Sequence, residues 1–211
     1  MQSLNYRNFK IASIISLVLA LVLFALSYHL GKNEFFLLLN GNLGIIADYF
    51  FGIFTNAGDS LMWIAVLAVI LYKKRKDLLA LIISSFVFVT IFTQVCKYLI
   101  VPDEPRPWKA ISDHSLIHHV SFVEPWLISS FPSGHTATAF TFYLLICLVS
   151  KKDHWLWTGL LFALLVGYSR IYLAQHFPFD VAGGIVAGVA SVALAVIFSK
   201  WFAERKLQKA K

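Results

Sequence analysis

Charge is what this chain has least of. Aspartate, glutamate, lysine and arginine supply 14% of its 211 residues, against roughly a quarter in a soluble domain. Hydrophobic residues supply 59%, more apolar surface than a soluble core of this length can use, so the composition points to a membrane protein. Cysteine is nearly absent. Cys96 and Cys147 fall towards opposite ends of two apolar runs, depths that a disulfide does not bridge. No Cys/His spacing of a zinc site occurs. There is also no soluble surface to carry a basic stripe, so the net charge of +7 does not indicate a nucleic-acid partner.

What fills the chain is a series of apolar runs. A membrane-crossing helix needs about 20 of them in succession. Six runs approach that length: Ile11 to Leu30, Ala57 to Tyr72, Leu78 to Val101, Pro132 to Val149, Trp155 to Leu173 and Phe179 to Phe202. Little chain is left between them, so residues 1–211 are expected to form one domain. The expected fold is all-α: a six-transmembrane-helix bundle. The first run starts with Arg7 and Lys10 but lacks a small-residue cleavage site at Tyr28-His29-Leu30, and is expected to be a retained helix. The stretch Glu34 to Asn56, rich in Phe and Leu but broken by Asn40, Gly41, Asn42, Gly44 and Asp48, fits a short amphipathic helix in the interface.

Lysine and arginine alternate across these runs. Arg7 and Lys10, the turn Lys73-Lys74-Arg75-Lys76, Lys151 and Lys152, and the tail residues Lys200, Arg205, Lys206, Lys209 and Lys211 fall on one side. The excess of positive charge makes that side the cytoplasm, with both termini there. Lys32, Lys97, Arg106, Lys109 and Arg170 fall on or near the other.

Three polar clusters then meet at the outer helix ends: Lys97 with Arg106-Pro107; Phe131-Pro132-Ser133-Gly134-His135; and Ser169-Arg170 with His176 and Asp180. Charges at or beside membrane spans are costly and mark function. Lys97, Arg106 and Arg170 repel one another unless an anion joins them, and arginine matches phosphate oxygens with two donors. Pro132 suits the first turn of a helix, and Ser133 and Gly134 offer a helix N-terminus to an anion. Asp180, four residues after His176, can hold one ring nitrogen and leave the other to attack phosphorus. His135 can protonate the leaving oxygen. The implied chemistry is phosphate transfer through a phosphohistidine, with no metal and no cofactor, the cations taking the metal's part.

These residues resemble the type 2 phosphatidic acid phosphatase family, which also includes vanadium-dependent haloperoxidases. Its signature is a lysine followed by Arg-Pro, then Pro-Ser-Gly-His, then Ser-Arg-x5-His-x3-Asp. The second motif is intact at Pro132 to His135 and the third from Ser169 to Asp180. Eight residues separate Lys97 from Arg106 where the family usually has six, so either the loop through Pro102 and Pro105 bulges or Lys97 is not the equivalent lysine. The resemblance implies His176, His135 and Asp180 as catalytic residues, and Lys97, Arg106, Ser133, Gly134 and Arg170 as phosphate-binding residues. It implies a substrate such as undecaprenyl diphosphate, phosphatidylglycerol phosphate, phosphatidic acid or a lipid A phosphate, turned over outside a bacterial inner membrane. A lipid phosphotransferase, an anion transporter and a haloperoxidase are the alternatives. His114, His118, His119 and Glu124 in the loop from Trp108 to Ser130 read as a polar outer loop, with a metal site or substrate lid as the other reading.

Overall fold

The structure is a computed structural model that describes residues 4–209; Lys211 and both chain ends lie outside the described residues. The described residues contain no strand. Helix α1 (Tyr6–Leu30) opens where the Asn5 side chain accepts from the Asn8 backbone N–H, a cap that satisfies one of the orphan donors of a first turn. Gly31, at φ 91°, lets the chain turn into α2 (Lys32–Leu39).

The stretch expected to form one interfacial helix forms two. Asn40 to Gly44 interrupts it, and α3 (Ile45–Phe54) follows. Asn40 leaves the helix because its side chain is used elsewhere: Nδ2 donates to the carbonyls of Ile171 and Tyr172, and Oδ1 accepts from the His118 N–H. A 3-10 turn (Thr55–Gly58) then leads into α4 (Met62–Tyr72). The run expected as a span from Ala57 to Tyr72 is therefore only 11 residues of α-helix, bent by 58° from the segment before it.

Helix α5 (Leu79–Val95) continues into a π-helical turn, Cys96–Ile100. A short α6 (Pro107–Ala110) follows, then α7 (Gly134–Val149), α8 (Trp155–Tyr172) and α9 (Pro178–Lys209). Three segments are long and apolar enough to cross a membrane: Tyr6–Leu30, Lys76–Ile100 and Pro178–Lys206. The bent pair Ile45–Gly58 and Met62–Tyr72 makes a fourth if it is one span. At 1.5 Å per residue the 16 residues of α7 reach about 24 Å, short of the roughly 30 Å of hydrocarbon.

That shortness goes with position. Helix α7 is the most enclosed element, buried from Thr136 to Leu148 along nearly its whole length, whereas α1 leaves Ile14, Val18 and Leu21 exposed as a lipid-facing helix does. Close approach of α9 makes the enclosure possible. A Cβ at Gly184 would lie 2.6 Å from the Ser133 carbonyl oxygen, and one at Gly188 would lie 2.9 Å from that of Ala137. These glycines bring α9 onto the first turns of α7, the packing expected of small residues between membrane helices. The start of α7 differs by one detail. Pro132 stands outside the helix; Ser133 is the N-cap and Gly134 the first helical residue.

Candidate active site

The third motif is set by the start of α9. Pro178 occupies the first helical position, where its missing N–H costs nothing, and Asp180 falls in the first turn. Its Oδ2 accepts from the Phe177 N–H at 2.9 Å, an N3 carboxylate reaching back to the N-cap backbone. The same oxygen accepts from the Ser130 hydroxyl and lies 3.5 Å from Nδ1 of His176. Asp180 also joins the second motif to the third through the backbone, its carbonyl accepting from the Ser133 N–H at 3.0 Å.

His176 is buried in the loop between α8 and α9. Its Nε2 lies 3.3 Å from Nη1 of Arg106. A guanidinium has donors only, so Nε2 accepts, which places the ring proton on Nδ1, towards Asp180. Burial holds this imidazole well below its ordinary pKa, and the charges of Arg106, Lys97 and Arg170 push the same way. It is a neutral base with its lone pair turned to the cations.

Arg106 is buried and heavily tied. Nε donates to the Ile128 carbonyl at 2.9 Å, Nη1 to that of Gln175 at 2.9 Å, and Nη2 to that of Ser129 at 3.3 Å. Burial lowers its pKa to about 10, against the pull of Asp180, so it stays charged. Arg170, buried in the last turn of α8, donates from Nη1 to the Thr55 hydroxyl at 2.7 Å, while its Nε has no partner. His176 Nδ1, at the limit of hydrogen-bond reach from Asp180, and Asp180 Oδ1 are likewise buried without one. Polar atoms are rarely left so.

Lys97 lies in the π-helical turn, where the Val101 N–H reaches the Cys96 carbonyl at 2.9 Å. A π turn takes up an extra residue, which accommodates part of the longer spacing to Arg106 and leaves the ammonium within electrostatic reach of His176.

At the start of α7, the Ser133 hydroxyl accepts from the Thr136 N–H and from its hydroxyl. It caps the helix, in addition to the donor role expected of it. A Cβ at Gly134 would meet nothing within 4 Å, so neither packing nor backbone conformation asks for glycine. His135 follows, its Nε2 3.8 Å from Oδ2 of Asp59. The structure thus brings His176, Asp180, Arg106, Arg170, Lys97, Ser133, Gly134 and His135 to one region. Ser130, Thr55 and Gln175 join them unannounced; Asp59, legible in the sequence only as one of two acidic residues, with Asp48, that could touch substrate, joins them as well. Of these, Ser130 stands next to a motif, while Thr55 and Asp59 lie in a polar break with no telling spacing.

The histidines of the loop between α6 and α7 are held by other groups. His118 pairs with Asp48 at 2.9 Å, and Asp48 also accepts from the Tyr172 hydroxyl. His114 contacts the Trp108 carbonyl and His119 that of Val123. Among the described residues no group of three or more His, Cys, Asp or Glu is arranged to hold a metal ion.

A buried imidazole facing cations beside a helix N-terminus is an arrangement suited to an anion. The sequence matches the PAP2 superfamily over residues 76–204, and the chain belongs to that family. It is 30% identical over 164 residues to the undecaprenyl-diphosphatase of Sulfolobus acidocaldarius, covering 76% of this chain and 75% of that one. It is 30% identical over 166 residues to the lipid A 4'-phosphatase of Bacteroides thetaiotaomicron, covering 74% and 72%. The crystal structure of Aquifex aeolicus LpxE superposes with a TM-score of 0.67 at 28% identity, over 78% of this chain and 94% of that one. The chain is an enzyme of this phosphatase class.

Proposed function

We propose that this protein hydrolyses the terminal phosphate of a membrane lipid through a phosphohistidine on His176. The observation that carries the reading is the 3.3 Å approach of Arg106 Nη1 to His176 Nε2: the nucleophilic nitrogen and a phosphate-binding cation share one point. A phosphate oxygen drawn to Arg106, Arg170, Lys97 and the N–H groups at Gly134 sets phosphorus against Nε2. Nε2 then forms the N–P bond as the bond to the leaving oxygen breaks, and His135 gives that oxygen its proton. Water attacks phosphorus in the second step, loses a proton to His135 and releases His176. Asp180 supports the Nδ1–H throughout. The cations and helix N-terminus supply the charge stabilisation that such a transition state needs.

The substrate classes favoured are a polyprenyl diphosphate and a lipid A phosphate, in keeping with the names of the relatives. Residues 1–211 act as one domain. Helices α7 and α8 and the bent α3–α4 pair complete a six-span arrangement, with the site on the outer face of a bacterial inner membrane and both termini inside. A turnover panel tests the reading. Purified protein is given undecaprenyl diphosphate, phosphatidylglycerol phosphate, phosphatidic acid and lipid A, with no acceptor lipid. Phosphate release from at least one is expected; release from none sinks it.

A further inference from the structure

His135 and His176 face opposite demands in one electrostatic field. The nucleophile works neutral. The acid has to carry a proton, although it is half-buried and faces Arg170, Lys97 and Arg106. Cations that help His176 therefore work against His135, and a like charge disfavours the charged form of its neighbour. Among the described residues one carboxylate faces this imidazole, that of Asp59, in the turn between α3 and α4.

The geometry of that turn fixes the carboxylate in place. Asp59 Oδ1 accepts from the Leu61 N–H at 2.8 Å and from the Ser60 hydroxyl at 3.3 Å. Its Oδ2 is left on the side of His135, 3.8 Å from Nε2. The residue before it is jammed against the same histidine: a Cβ at Gly58 would lie 2.8 Å from the His135 carbonyl oxygen and 3.1 Å from its Cβ. The turn and the first turn of α7 therefore hold one relative position. Between them opens a cavity of about 350 Å³, lined on its polar side by Ser60, Thr90, Thr93 and Gln94 as well as by Asp59 and His135.

Building on the phosphatase reading above, we propose that Asp59 is a positioning residue for the general acid: its carboxylate faces Nε2–H of His135, opposes the loss of the imidazole's proton to the field of three cations, and leaves Nδ1–H to be given to the leaving oxygen. In the first step that proton moves from Nδ1 to the oxygen as the P–O bond breaks. The neutral ring keeps its Nε2–H on Asp59, and Nδ1 takes the proton of the attacking water in the second step. The cavity the two residues share receives the leaving group. Asp59 acts through His135 and does not touch phosphorus.

The test compares the parental protein with Asp59→Asn, Asp59→Glu and His135→Ala, purified whole in detergent. Each is given a lipid phosphate, whose alcohol leaves poorly, and p-nitrophenyl phosphate, whose phenolate leaves without a proton. Asparagine can still cap the Leu61 N–H, so the turn survives the first variant. Asp59→Asn is expected to move the alkaline fall of lipid turnover to lower pH by about one unit, with little effect on the aryl ester. Asp59→Glu is expected to restore the parental profile. A parental pH profile in Asp59→Asn, or a fall in Asp59→Glu displaced as far as in Asp59→Asn, overturns the proposal and leaves the phosphatase reading intact. Near-parental lipid turnover in His135→Ala overturns the acid role itself, and with it this part of the underlying reading.

Discussion

Nη1 of Arg106 donates to Nε2 of His176 across 3.3 Å, and that one contact fixes the tautomer of the ring. Because arginine cannot accept, the proton sits on Nδ1, facing Asp180 Oδ2 at 3.5 Å. The lone pair that would attack phosphorus is thus held ready by the group that would bind phosphate.

The covalent intermediate follows directly. Alkaline-quench trapping with radiolabelled lipid is expected to give an alkali-stable, acid-labile phosphoamino acid on His176. His176→Ala should remove the label and the turnover. Asp180→Asn should keep the fold and slow the attack by favouring the wrong tautomer. His135→Ala should leave a slow enzyme, reduced on the order of 10²–10⁴-fold on lipid. Label on His135, or near-parental turnover in His176→Ala, would show the roles to be misassigned.

Ser130 gives a subtler prediction. Its hydroxyl donates to Asp180 Oδ2, alongside the Phe177 N–H. Ser130→Ala removes one of two donors that aim the carboxylate, and an unmade buried hydrogen bond costs roughly 1–3 kcal/mol. If that cost is felt while His176 is being aimed, kcat falls about tenfold or more and KM stays. Steady-state kinetics on the best lipid separates this from lost binding, which would raise KM with kcat unchanged.

The sequence made part of this legible for identifiable reasons. Pro178 two residues before Asp180, and Ser133-Gly134 before an apolar run, are local signals: α9 begins at Pro178 as expected, and α7 at Gly134, two residues after the Pro132 expected to open it. The bend at Gly58 to Leu61 was not legible, because an apolar run tolerates a break that tertiary contacts with His135 and Val166 create. Thr55 was hidden, and Asp59 was legible only as a possible substrate contact, for the same reason: their partners Arg170 and His135 are far along the chain. The division of Glu34 to Asn56 into two helices turned on Asn40, whose bonds to Ile171, Tyr172 and His118 exist only in the folded chain.

Metal removal offers a further check. Lys97, Arg106, Arg170 and the helix N-terminus at Gly134 already supply positive charge where phosphate would sit. Phosphate release is expected to persist in EDTA, while vanadate inhibits by forming a five-coordinate adduct on His176 that resembles the transition state. Complete loss in EDTA with rescue by magnesium or zinc would contradict the prediction and return attention to His114, His118 and His119.

Orientation can be read by labelling from outside intact cells. Ser115→Cys, in the exposed outer loop, is expected to react with an impermeant thiol reagent, and Lys74→Cys, in the basic turn after α4, to be protected. Both Cys96 and Cys147 are first replaced by serine. The reverse pattern would invert the proposed topology, and with it the side from which the lipid headgroup reaches Arg106.

The last prediction concerns stability against pH. His176 is buried and neutral, with its folded-state pKa well below the ordinary 6.5. Between those two values the unfolded chain binds a proton that the folded chain refuses. Where the unfolded state binds more protons, stability rises with pH. The contribution of His176 is therefore flat above about 6.5, and stability is lost as pH falls below it. Thermal unfolding in detergent at a series of pH values from about 7.5 to 5 is the measurement. The parental midpoint should fall towards the acid end, and His176→Gln, which has no proton to take up, should flatten that fall. Equal slopes in the two proteins would mean that the imidazole takes up its proton over the same pH range in the fold as in the unfolded chain, which would contradict a buried, neutral nucleophile.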